Sequence, residues 1–121
     1  MTSPDPDAAL NRHELARYVG RVSGRWPLDR AVLGGARVAD LHGAPQQRER
    51  GPEFVVVLVS DAFDGVPWLQ RVYVAGNLWD ADEMGARADM HCYTPAELER
   101  RVQRLRAVRE AVTGGLDLLT A

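Results

Sequence analysis

Two periodicities organise the apolar positions of this chain. Leu15, Tyr18, Val19, Val22 and Trp26 recur at three- and four-residue spacing, which predicts a helix with one buried face. Asn11 can cap it, Glu14 stands where a capping box wants an acid, Leu10 and Leu15 can staple across the start, and Pro27 should end it. Leu28 to Leu33 reads as a short strand stopped by Gly34-Gly35, and Ala36 to Leu41 as a helical turn. His42 to Pro52 is polar and reads as an exposed loop. Glu53 to Ser60 is the clearest strand. Its apolar run has no alternation, so both of its faces should be covered, as in the middle of a sheet.

After the Asp64-Gly65 turn, Pro67 fits a first helical turn, and Leu69, Val72, Tyr73 and Gly76 continue at helical spacing toward Trp79. Arg71 to Ala75 as a strand is the alternative there. Trp68 and Trp79 read as core, and exposure of either would signal a partner surface. Arg87 to Tyr93 reads as a third strand. A last helix follows, with Thr94 as N-cap, Pro95 at its first position, Glu97 closing a capping box and Tyr93 stapled on Leu98. Leu98, Val102, Leu105 and Val112 line one face of it, and Gly114-Gly115 should stop it. The order α-β-β-α-β-α predicts an α+β fold, a small mixed sheet packed by helices.

A length of 121 residues fits one domain, taken as residues 10–121 after a frayed leader over 1–9. With 45% hydrophobic and 26% charged residues the chain has the balance of a globular protein. A net charge of −2 excludes a dedicated nucleic-acid binder. All 15 basic residues are Arg, so the abundance of Arg reads as a coding bias and not as a phosphate-binding signal. The lone Cys92 rules out an internal disulfide and Cys-based zinc sites. The longest apolar run, Phe54 to Val59, is far short of the roughly 20 residues that span a bilayer. With no secretory leader visible, a cytoplasmic location is expected.

Three features converge in this plan. Gly34-Gly35 follows the first strand, Glu53 opens the second, and Asp89 lies on the third with His91 on the same face. Polar groups at the mouths of neighbouring strands beside a glycine turn suit a metal and a phosphate. Each has a plainer reading as well. Glu53 can be a polar strand start, Gly34-Gly35 an ordinary turn, Arg37 a solvated cation, His91 a hydrogen-bonded strand residue and Cys92 a small core side chain.

These residues carry a resemblance. Val32-Leu33-Gly34-Gly35-Ala36-Arg37 is similar to the strand and Gly-Ser turn of the DNA polymerase β-type nucleotidyltransferase superfamily. Glu53 to Phe63 resembles its Asp-x-Asp strand, Asp64 to Val72 the helix entry of small bacterial members, and Ala88 to Leu98 the strand bearing the third carboxylate with its capped helix. The match spans about residues 28–118. It implies a nucleotidyltransferase-like fold in which carboxylates hold Mg²⁺ ions, the ions hold a nucleoside triphosphate, and the glycine turn cradles phosphate. Carried onto this chain, the catalytic and metal positions are Glu53 and Asp89, and the phosphate positions are Gly34, Gly35 and Arg37.

The departures from the pattern are equally specific. Glu53 is a methylene longer than the first Asp, Val55 replaces the second, and Gly35 replaces the Ser. Losing that second carboxylate should cripple a two-metal site, because Mg²⁺ demands near-ideal oxygen geometry. The expectation is therefore a degenerate transferase acting as a binding or regulatory module, with Mg²⁺ and nucleoside triphosphate bound weakly or not at all. One alternative is an active Mg²⁺-dependent enzyme using Glu53 and Asp89; another is a structural homodimer joined by the sheet edge or the last helix. Small family members act with a second helical protein, as in toxin–antitoxin pairs, so a separately encoded helical partner is also implied.

Overall fold

A mixed four-stranded sheet organises the chain: β1 (Arg30–Gly34), β2 (Phe54–Val59), β3 (Ala88–Tyr93) and the short β4 (Leu116–Asp117). This is seen in a computed structural model that describes residues 10–41 and 51–119. The expected leader over 1–9 and most of the polar loop lie outside the described residues. The strand order is β3-β2-β1-β4, with β1 antiparallel to β2 and β4, and β2 parallel to β3. Around it lie α1 (Arg12–Ser23), α2 (Ala36–Leu41), α3 (Trp68–Asn77), α4 (Ala81–Met84), α5 (Pro95–Arg101) and α6 (Arg106–Gly114).

β2 is buried at all six positions, as its unbroken apolar run requires. Its side chains alternate between two cores. Phe54, Val56 and Leu58 join Leu15, Tyr18 and Val22 of α1 and Ala75 of α3. Val55, Val57 and Val59 join Val32, Tyr93 and two residues of α6, Val108 and Ala111, with Leu98 of α5 at the margin. The sheet is thus a middle layer with helices on both faces.

Several local expectations hold. Asn11 accepts from the Glu14 backbone N–H at 3.2 Å. Thr94 and Glu97 form the reciprocal capping box behind Pro95. α3 is a helix throughout, which disposes of the strand alternative. Cys92 is fully buried, and burial raises its thiol pKa to about 12, as for an inert core side chain.

Others need correction. α1 stops at Ser23, capped by Gly24, so Pro27 does not end it; Trp26 reaches the core from the following turn, 5.0 Å from the Phe63 ring. Glu14 closes no capping box, because its carboxylate turns to Arg17 and Arg21. The first strand begins at Arg30, not Leu28. The last helix is two helices, with Leu105 extended between them (φ −109°, ψ 108°). The break re-aims the chain so that Val108 and Ala111 land on the sheet, a burial that one straight helix would forfeit. β4 and α4 carried too few residues to show a period. Finally, Trp68 is not core: it is 42% exposed, while Trp79 is buried.

Candidate functional site

The elements that should build the site come together at one end of the sheet. β2 and β3 are parallel neighbours, and Val55 pairs in register with Asp89. Glu53 precedes that pairing by two residues, so its Cα lies roughly 8 Å from that of Asp89 by strand spacings. β1 delivers Gly34 and Gly35 to the same end, with Gly34 opposite Val55.

Each predicted residue then takes a specific place. Glu53 accepts from Arg37 Nε at 2.7 Å, with both side chains about one-third exposed. The Arg37 guanidinium lies 5.5 Å from the Phe54 ring centroid, on the face shared with α1 and α3, and also reaches the Gly85 carbonyl. Asp89 alternates to the opposite face with His91 and Tyr93. Its carboxylate lies 3.0 Å from His91 Nε2, and His91 Nδ1 lies 3.2 Å from the Tyr93 hydroxyl. A neutral imidazole satisfies both contacts, donating from Nε2 to Asp89 and accepting at Nδ1 from Tyr93. Burial raises the Tyr93 phenol pKa, against the opposing pull of Arg101. The phenol therefore stays a donor over the ordinary pH range.

The glycine turn is tightly closed. Gly35 has φ +104°, and a Cβ there would lie 2.7 Å from the Glu53 carbonyl oxygen and 2.8 Å from the Phe54 Cα. A serine at this position would be both strained and in collision with backbone. The amides at the start of α2 are engaged as well, Ala36 N–H with the Pro52 carbonyl and Arg37 N–H with the Glu53 carbonyl. α6 lies over this corner: a Cβ on Gly34 would come within 2.8 Å of the Ala111 Cβ. Val55, where the pattern wants a carboxylate, is 2% exposed within the α6 cluster.

The structure thus joins Glu53 to Arg37, Asp89 to His91, and His91 to Tyr93. Among the described residues no group of three or more His, Cys, Asp or Glu is placed to hold a metal ion. The residues at Val55 and Glu53 do not fit a two-metal centre. A recess of about 550 Å³ lies elsewhere, between α1 and the α3–α4 turn, lined by Arg21, Asn77, Asp80 and Asp82 among others.

Two features escaped the sequence reading. The sequence reading puts Asp89 and His91 on one strand face but leaves out Tyr93, which extends their hydrogen-bonded chain at i+4, although the same spacing could have revealed it. The Arg71 guanidinium is buried and braces three elements, donating to the Val66 carbonyl (2.8 Å), the Cys92 carbonyl (3.2 Å) and Glu97 (2.7 Å). A single Arg inside a helix gives no sign that it points inward.

Among solved structures the chain is similar to a candidate nucleotidyltransferase from Sulfolobus solfataricus, with a TM-score of 0.57 and 12% identity over 97% of this chain and 89% of that one. No family model and no curated protein matches the sequence. At that identity the likeness establishes the fold: a nucleotidyltransferase-like arrangement of mixed sheet and helices.

Proposed function

We propose that this chain is a nucleotidyltransferase-like domain that has lost two-metal chemistry and serves as a binding or regulatory module. The observation that carries this reading is the burial of Val55. The position that should present an oxygen to a metal is an aliphatic side chain packed under α6. Two further facts support it: Glu53 is hydrogen-bonded to Arg37, and Asp89 to His91. The rival reading is an active enzyme that holds one Mg²⁺ between Glu53 and Asp89. It would require both carboxylates to leave these partners and converge.

A thermal-shift titration with Mg²⁺ and each of the four common nucleoside triphosphates separates the two. The proposal expects no saturable rise in melting temperature at millimolar ligand. A rise of several degrees that vanishes in Asp89→Asn would restore the enzyme reading, because a ligand at 100 times its Kd stabilises the native state by about 2.7 kcal/mol.

A further inference from the structure

Charge is uneven along the chain. The net charge of −2 argues against a chain given over to nucleic acid, but it is an average: residues 100–109 hold five of the 15 Arg and no acid. Coding bias explains why these cations are Arg, not why they crowd together. They wrap the junction of α5 and α6, and all five are exposed. Of the three acids on these two helices, Glu97 is engaged by Arg71 and Glu110 by Arg106, which leaves Glu99. Arg100, Arg101, Arg104 and Arg109 have no hydrogen-bonded or ionic side-chain partner among the described residues. Four unpaired guanidinium groups so close together concentrate a positive field at this corner.

An aromatic platform lies beside them. The Trp68 ring is 42% exposed and sits 5.2 Å from the ring of Tyr93, the residue that leads into α5. Burial raises the pKa of the Tyr93 phenol, and the nearby charge of Arg101 pulls it back. Trp68 and Arg101 thus both neighbour Tyr93. Asp61 and Asp64, exposed ahead of α3, bound the surface beyond Trp68 and keep it short.

We infer that the α5–α6 corner and Trp68 bind single-stranded nucleic acid, the arginines holding phosphates and the indole face taking a base. Guanidinium groups suit carboxylates as well as phosphates. A protein partner, however, needs an apolar centre, and Leu105, 37% exposed, is the one large apolar side chain that this corner exposes. Phosphate binding draws its affinity from released counterions and needs no such centre. An exposed indole stacks on a base of any kind. The contact uses no metal, so it stands apart from the reading of the β2 mouth.

Fluorescence anisotropy of a fluorescein-labelled 12-nucleotide oligouridine titrated with the full chain in EDTA tests this. The expected result is a micromolar Kd at 50 mM NaCl, with log K falling against log salt at a slope of about −3, as for roughly four phosphates on a single strand. Arg101→Gln combined with Arg104→Gln should weaken binding about tenfold and roughly halve the slope. Trp68→Ala should weaken it about fivefold or more and leave the slope unchanged. Circular dichroism melts confirm that each variant is folded. Trp26 and Trp79 are buried, so quenching of tryptophan emission by the oligonucleotide reports on Trp68. No binding at 500 µM protein, an unchanged salt slope in the Arg variant, or full affinity in Trp68→Ala would each overturn the inference. Equally tight binding of a labelled 12-residue polyglutamate would overturn it too, and assign the corner to an acidic protein.

Discussion

Val55 decides what the β2 mouth can do. It sits where the family pattern wants a metal ligand, yet it contributes to the packing of α6 on the sheet. Val55→Asp should therefore not recover a site. It would bury a carboxylate among Val32, Val108 and Ala111, and should lower unfolding free energy by about 3 kcal/mol at pH 7. Urea unfolding read by circular dichroism checks the size. A stable Val55→Asp protein with new Mg²⁺ affinity would mean that α6 lifts away and that a carboxylate pocket survives beneath it. The identity of residue 55 was legible in the sequence, but its burial under α6 was not, because the break that redirects α6 contains neither Gly nor Pro. Gly35 teaches the same lesson. A glycine where the pattern has serine read as a lost hydroxyl, whereas the positive φ and the contact with the start of β2 make glycine a requirement of the turn.

The elements were legible wherever the sequence carried a period or a cap. The buried strand, the Asn11 and Thr94 caps and the helix over Trp68 to Asn77 all follow from local chemistry. What joins the elements is charged and has no period: Arg21 reaches the Leu78 carbonyl, and Arg71 reaches the Cys92 carbonyl and Glu97. Glu14 is almost fully buried, and burial alone would raise its pKa; hydrogen bonds and charge from Arg21 and Arg17 outweigh that and leave it lowered. Glu97 behaves alike, with Arg71 and the Thr94 amide overcoming its desolvation. Both folded-state pKa values thus lie below the ordinary value of 4.5. Their stabilisation is fully present above that value and is lost as pH falls through the depressed folded-state pKa values. The melting temperature should be level from pH 7 to about 5.5 and drop steeply below about 4.5. Glu14→Gln should lower it at pH 7 and flatten the acid limb, because it leaves two guanidinium groups without their buried partner. An acid limb identical in the variant would place the sensitivity elsewhere.

As a whole molecule, the chain has the architecture of a nucleotidyltransferase-like fold. Carboxylates pair with cations and imidazole, the glycine turn closes against β2, and a helix covers the middle of the site strand. No described helix is long and apolar enough to cross a membrane.

The most direct test of the proposal that two-metal chemistry is lost is a Mn²⁺ titration of the ¹⁵N-labelled protein followed by amide NMR, since Mn²⁺ takes Mg²⁺ sites and broadens only what lies near it. The account predicts that amides of Gly34, Gly35, Val55 and Asp89 keep their intensity through hundreds of micromolar Mn²⁺, as amides far from the site do. Selective, saturable loss of those four signals at low micromolar Mn²⁺ would contradict it.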